Sequence, residues 1–317
     1  MDRFTFKSGR LLALIAAVVL VGAITTTVRA EEEGMDTSGS VLDNFSFSTG
    51  FDITTDYYFR GILQENQGFI FQPHFELGYT VFDEGDGFFK SLDLYAGSWN
   101  SIHSDDATAT GSPHSWYEAD YYLGFKVGLP GNFSVDLSYI WLDAPSGAFG
   151  VDEFAEEIDL EIAYDDSSHW ASVDIPGFEG LAPYFLIAYE TQGASDGFAS
   201  RNKGDMYFEL GIEPSFTLIQ SESYPITLSV PMTLGLGSEY YEVDTNGDGI
   251  SDDDDSFGYF DVGLVFSMPL AFMDTSIGGE WEMSVGAHFL FLGDNAEFIA
   301  GDENFEVIGT FGIGVSF

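Results

Sequence analysis

The chain is 317 residues long, carries a formal charge of −44, has no cysteine and draws 16% of its residues from Phe, Tyr and Trp. That charge excludes nucleic acid as a partner, because binding the phosphate backbone relies on Lys and Arg releasing counterions. It also disfavours adsorption to anionic lipid surfaces, though not insertion into a bilayer whose hydrocarbon zone meets only apolar side chains. Without disulfides, a secreted chain of this size must be held by extensive backbone pairing or a large core.

Residues 1–30 read as a signal peptide. Arg3, Lys7 and Arg10 form a basic start, residues 11–24 an apolar run too short to span a bilayer, and Val28, Arg29 and Ala30 a small-x-small cleavage site. Residues 31–43, acidic and without periodicity, are expected to be a flexible periplasmic leader, followed by a barrel domain over 44–317.

Alternation begins at residue 44. Phe45, Phe47, Thr49, Phe51 and Ile53 fall on one face, with Ser46, Ser48, Gly50, Asp52 and Thr54 on the other, the period of two that defines a strand. Residues 71–82, 88–99, 117–129 and 133–141 repeat it, separated by turn residues at 83–87 and 130–132. So do 154–164, 183–189, 206–216, 226–236, 260–268 and 281–291, and the last segment, 306–317, ends on Phe317. About twelve strands follow, joined by longer outer loops and shorter inner turns, with 165–182 long for an inner turn.

A soluble sandwich also alternates. Many runs here reach ten residues, which suits a tilted membrane span better than a soluble strand, and Trp99, Trp116, Tyr139, Trp141 and Trp281 sit near strand ends where interfacial girdles form. The expected fold is an all-β, closed antiparallel up-and-down transmembrane barrel.

The stretch Thr54, Thr55, Asp56, Tyr57, Tyr58, Phe59, Arg60, Gly61, Ile62, with Gln64 after it, resembles the T-x-D-Y-x-F-R-G-x-x-Q signature of the TorF-type porins, a bacterial family assigned an outer-membrane barrel. Residues 92–100, 116–125 and 157–160 are similar to that family too, so the likeness covers roughly the first half of the mature chain. It implies location in the outer membrane of a Gram-negative-type bacterium more firmly than it implies a cargo. The final strand resembles the aromatic-ended signal that barrel-insertion machinery reads.

With apolar faces against lipid, the other faces line a lumen, and the sheet closes by pairing 306–317 with 44–54. Twelve strands about 4.7 Å apart and tilted near 40° enclose a cylinder roughly 24 Å across, a narrow channel constricted by a folded-in loop. The expected pore-lining residues are Asp52, Glu76, Asp93, Glu118, Asp120, Lys126, Asp136, Glu157, Asp159, Glu161, Glu209, Glu213, Asp261 and Glu282. An acidic lining concentrates cations, so the expected function is passive diffusion of small hydrophilic, cationic solutes. A plugged barrel with a structural or adhesive role is the alternative. Arg60, the cation of the first outer loop, either orders that loop through an acidic partner or contributes to a constriction.

Asp244, Asn246, Asp248, Ile250 through its carbonyl, Asp252 and Asp255 have the spacing of a calcium loop, with Gly249 at the sixth position. A solvated acidic loop is the other reading. A hydrolase is the third class of function. His74 and His288 are expected to face the lumen, but no Gly-x-Ser-x-Gly elbow, His-Glu-x-x-His or phosphate loop is present, and no catalytic residue or organic cofactor is assigned. Partners are outer-membrane lipid, the insertion machinery and small solutes, with the oligomeric state left open.

Overall fold

The computed structural model describes residues 41–105, 115–145, 153–173, 175–192, 204–221, 224–246, 253–273 and 278–317. The expected signal peptide lies outside the described residues, as does most of the leader. At the junction of leader and barrel, Val41–Asn44 forms a 3₁₀ turn beside the first strand and its neighbour.

The barrel strands are β1 (Phe45–Thr54), β2 (Ile70–Phe82), β3 (Ser91–His103), β4 (Trp116–Gly128), β5 (Phe133–Asp143) and β6 (Glu153–Tyr164). Three interrupted strands follow: β7 (Phe178–Gly180 with Tyr184–Gln192), β8 (Met206–Ile212 with Ser215–Ile219) and β9 (Ile226–Ser229 with Met232–Ser238). Then come β10 (Phe257–Pro269), β11 (Glu280–Leu292) and β12 (Phe305–Ser316). Each pairs antiparallel with its neighbours, and β12 pairs with β1 from Ser48 opposite Ser316 to Thr54 opposite Thr310, so twelve strands close without a free edge. Phe317 completes the seam by exchanging backbone hydrogen bonds with Phe47 at 3.2 and 2.9 Å.

Each interruption falls at a proline. Pro183, Pro214 and Pro231 lack an N–H, so the ladder skips a bond at each while the register is kept. Ile212 lies opposite Met232 above the break and Ser215 opposite Ser229 below it. The proline carbonyls still serve, accepting from Val230 N–H at 2.8 Å and Gly263 N–H at 2.7 Å.

The long inner turn is shorter than expected, because β7 begins at Phe178 and a helical turn occupies Ser167–Trp170. Asp166 gathers it: its carboxylate accepts from Trp170 Nε1 at 2.6 Å, Leu181 N–H at 2.9 Å and Ala182 N–H at 3.0 Å.

Leu210, Ile162, Phe266, Val285 and Val307 remain 43–50% exposed on the outer face, the pattern of a lipid-facing surface. Trp99 departs from its expected place in a girdle. It shares the face of Asp93 and packs inside the barrel against Tyr57, the rings tilted with centroids 5.4 Å apart. Parity along the strand outweighs nearness to the strand end.

Candidate functional site

The end of the barrel away from Phe45 and Phe317, the outer end, is filled from within. After β1 the chain forms a hairpin, Tyr57–Phe59 paired with Ile62–Glu65, that lies in the lumen. Arg60 and Gly61 make its turn with φ of 50° and 80°, the doubly positive pattern of a tight hairpin turn. A side chain at Gly61 would collide with the Tyr259 ring, so glycine here also permits close approach to the wall.

Arg60 anchors the hairpin. Its guanidinium makes two 2.8 Å bonds to the carboxylate of Glu157, lies 3.5 Å from Asp159 and donates to the Tyr240 hydroxyl at 3.3 Å. It also rests over the rings of Tyr207 at 4.4 Å and Phe59 at 4.9 Å. Arg60 is 11% exposed and Glu157 1%, so the pair is sheltered from water. Tyr57 donates to Glu118 at 2.7 Å, and burial beside the Glu118 and Asp120 charges pushes its phenol well above the ordinary range, keeping it a donor. Tyr117 donates to Gln64 at 2.5 Å, and Tyr241 to the Arg60 carbonyl at 2.9 Å. Above this, Ile62, Tyr240, Tyr241, Leu292 and Ala296 form a small core, Ala296 coming from a short helix, Asp294–Ile299. Asn295 ties that helix to the Tyr241 carbonyl at 2.8 Å.

Beneath the hairpin lies a cavity of about 330 Å³, walled by β1, β2 and β9–β12. Asp52, Asp261, His288, Tyr259 and Thr310 face it, with Tyr58 and Arg60 as its roof. His288 Nδ1 stands 2.7 Å from Asp261 Oδ2, while His74 Nδ1 is 3.8 Å from Asp52 Oδ2.

Farther inward the lining is open. Asp93 lies opposite Lys126, Lys126 opposite Asp136, and Asp136 opposite Glu161, a row of charges around one side of the lumen. Lys126 is exposed there. Tyrosines lie across facing glycines: a side chain at Gly124 would meet Tyr95, one at Gly97 would meet Tyr122, and one at Gly211 would meet Tyr184. Their hydroxyls reach the carboxylates, Tyr95 to Asp136, Tyr122 to Glu76 at 3.2 Å and Tyr184 to Glu209 at 2.5 Å.

The expected lining residues therefore divide. Glu118, Asp120, Glu157 and Asp159 meet the hairpin; Asp52 and Asp261 line the cavity; Glu209 is capped by Tyr184, Tyr207 and Tyr259. Glu76, Asp93, Lys126, Asp136 and Glu161 form the inner lining, with Glu213 exposed at the proline break and Glu282 exposed near the inner rim. The tyrosines were not expected. Their signal was in the strands, since Tyr95 shares the face of Asp93 and Tyr122 that of Lys126.

Of the calcium loop, Asp248, Ile250 and Asp252 lie outside the described residues. Asp244 accepts from Asn246 N–H at 3.2 Å and Asp255 from Phe257 N–H at 3.1 Å, and a two-residue ladder joins Glu242–Val243 to Asp253–Asp254. Among the described residues no group of acidic, His or Cys side chains is arranged to hold a metal ion.

One arrangement has the order of a hydrolase. Ser101 Oγ is 2.8 Å from His103 Nε2, and His103 Nδ1 is 3.8 Å from Glu65 Oε2. Ser101 and Glu65 are fully buried and His103 is 1% exposed, so no substrate reaches them from solvent in this arrangement.

A family profile described as "Bacterial protein of unknown function (Gcw_chp)" matches residues 40–218. No curated protein matches the chain in sequence. Among solved structures, the chain is similar to LpxR from Salmonella typhimurium, with 10% identity, a TM-score of 0.44 and coverage of 85% of this chain and 99% of that one. It is also similar to the COG4313 outer membrane channel from Pseudomonas putida F1, with 13% identity, a TM-score of 0.43 and coverage of 86% and 94%. The β domain of the Bordetella autotransporter BrkA gives 9% identity, a TM-score of 0.39 and coverage of 86% and 98%. Nothing in these comparisons names a TorF-type porin.

Proposed function

Because the chain belongs to the Gcw_chp family of bacterial proteins of unknown function, we propose its function from the lumen itself: a gated outer-membrane channel for small hydrophilic cations, closed at its outer mouth by the hairpin that carries Arg60. The observation that carries this reading is the row of Asp93, Lys126, Asp136 and Glu161, a partly exposed and predominantly acidic lining that leads toward a mouth filled by a hairpin anchored through a buried ion pair. An acidic lining raises the local cation concentration, and a hairpin held by a few polar contacts can leave when they are broken. In this reading the protein is a transport barrel of the bacterial outer membrane rather than an enzyme, surrounded by lipid and inserted through its last strand.

The test is a planar bilayer. The intact mature chain should show low conductance with brief openings, and replacing residues 56–65 by a short Gly-Ser linker should raise conductance at least tenfold with a cation-selective reversal potential. A deleted barrel that stays silent, or prefers anions, overturns the proposal. The packing of Ile62, Tyr240, Tyr241 and Ala296 favours a second reading, a permanently plugged structural or adhesive barrel. That reading predicts silence from the intact chain under every condition.

We also propose structural calcium binding by Asp244, Asn246, Asp248, Ile250, Asp252 and Asp255, on the spacing of their oxygens. Calcium should raise the Tm of the wild type and not of Asp248→Ala; equal Tm values with and without calcium reject it.

A further inference from the structure

We infer that His103 makes the hairpin acid-sensitive: protonation of its ring favours the undocked hairpin, so a fall in external pH opens the outer mouth. The inference rests on the channel reading and names what regulates its gate.

His103 is the last residue of β3, and its backbone is fixed in the wall, with Ile70 opposite it and its N–H donating to the Ser115 carbonyl at 2.7 Å. The ring is caught between wall and hairpin. It stacks on Tyr117 of β4, with centroids 4.7 Å apart and planes 20° apart, and meets Tyr57 of the hairpin edge-on at 6.3 Å. Glu65, where the hairpin ends, brings Oε2 to 3.8 Å from Nδ1. Part of the ring's cover is therefore the hairpin itself. Undocking carries Tyr57 and Glu65 away while the ring stays in the wall.

The two ring nitrogens differ. Nε2 is 2.8 Å from Ser101 Oγ, whereas Nδ1 is shut off from solvent and has no hydrogen-bond partner among the described residues. A neutral imidazole can leave Nδ1 bare, but an imidazolium carries a proton on both nitrogens. With the hairpin docked, that second proton meets no acceptor. Glu65 Oε2 stands beyond hydrogen-bond distance, and Oε1 accepts from the N–H groups of Asn66 at 3.0 Å and Gln67 at 2.7 Å. The Glu65 charge and the Tyr117 ring face attract an imidazolium, but burying a charge completely without a hydrogen bond outweighs the attraction of one carboxylate at that distance. Release of the hairpin removes the penalty, because water then reaches the ring.

Few other groups bear on the ring. Phenols hold their protons throughout the range in which imidazole titrates, so Tyr57 and Tyr117 do not change charge with it, and β2 offers Ile70 and the amide of Gln72, which do not titrate. An unperturbed imidazole titrates near about pH 6.5, so a ring that docks only when neutral weakens docking by up to about tenfold for each pH unit below that value.

The test is proteinase K cleavage within residues 55–68 of the refolded full mature chain in detergent, divided at each pH by the rate on an unfolded peptide of the same sequence. Between about pH 7.5 and about pH 5 the wild-type rate should rise at least about tenfold. In His103→Gln, which keeps a polar group for Ser101 and cannot take a charge, the rise should be under about threefold, while His169→Gln, exposed at the inner end, should follow the wild type. Heat-dependent gel mobility identifies folded variants, and if His103→Gln does not fold, His103→Phe, which keeps a ring on Tyr117, carries the test. The carboxylates that hold Arg60 also titrate, and comparing the variants separates their part from that of His103. A wild-type rate that stays level or falls in acid, or a His103 variant that rises as the wild type does, overturns the inference. Proteolysis needs no open pore, so the two proposals fail separately: a silent barrel whose hairpin is released by acid sinks the channel, and a conducting barrel whose hairpin ignores pH sinks the switch.

Discussion

The outer and inner halves of the lumen are built from the same materials and behave differently. Each sets a basic side chain among carboxylates and tyrosines. In the outer half Arg60 is 11% exposed, gripped on both nitrogens by Glu157 and covered by rings. In the inner half Lys126 is exposed between Asp93 and Asp136. Charge content is thus no guide to role, whereas the hairpin is: where it descends, water leaves, and an ion pair becomes a latch. Where it does not reach, the same groups remain hydrated and interact weakly.

Removing the latch should have the largest effect. Arg60→Ala leaves Glu157 and Asp159 buried without their cation, a loss of about 3–5 kcal/mol for a broken buried pair. The hairpin should undock, making residues 55–68 sensitive to protease and raising bilayer conductance. Arg60→Lys should not restore the latch, because a point charge cannot make both bonds to Glu157 or cover the Tyr207 ring. A protease-resistant Arg60→Ala barrel would erase the difference between the halves.

A pair of phenol deletions sharpens the same contrast. Tyr57→Phe removes the donor to Glu118, in a contact where Tyr57 is 7% and Glu118 1% exposed, and should cost about 2 kcal/mol in urea unfolding. Tyr122→Phe removes a 3.2 Å bond to the half-buried Glu76, which water can replace, and should cost under about 0.5 kcal/mol. Equal costs would mean that the inner lumen is as dry as the outer.

At the inner end Asp166 tests a latch outside the barrel. Burial pushes its carboxyl up, but the Trp170 indole and the Ala182 and Leu181 N–H groups outweigh burial and hold it below the usual range. Its contribution is therefore present above about pH 4 and lost as pH falls through the depressed folded value. Asp166→Asn should destabilise by roughly 1 kcal/mol at pH 7, and by progressively less as pH falls below about 4.

Much of the barrel was legible because lipid enforces alternation. In β5, Phe133, Val135, Leu137, Tyr139 and Trp141 mark one face without exception, and the ladder follows. The hairpin was legible only in part. Arg60 was expected to order its loop or narrow the pore, but the descent into the lumen depends on Glu118, Glu157 and Tyr241, far away in sequence. The lumenal tyrosines were hidden by their double nature. An alternation scan counts Tyr95 and Trp99 as apolar, whereas inside the barrel their rings cover glycine or pack against Tyr57 and, for tyrosine, the hydroxyl meets a carboxylate.

Lys126→Gln should have the smallest effect on stability and a distinct effect on flow. Lys126 is exposed, so its neighbours lose a solvent-screened attraction and unfolding should shift by no more than about 0.5 kcal/mol. Conduction reads a different quantity, the potential along the path. Taking one positive charge from a row otherwise composed of Asp93, Asp136 and Glu161 makes the inner lumen more negative. In the hairpin-deleted barrel, where the outer mouth no longer limits flow, the cation-to-anion permeability ratio should rise about twofold or more, and the rise should shrink at high salt as screening shortens the reach of the charge. Lys126→Glu should extend the trend. A ratio that does not move would mean that ions do not pass this row, leaving the two halves as two packed regions rather than a gate and a path.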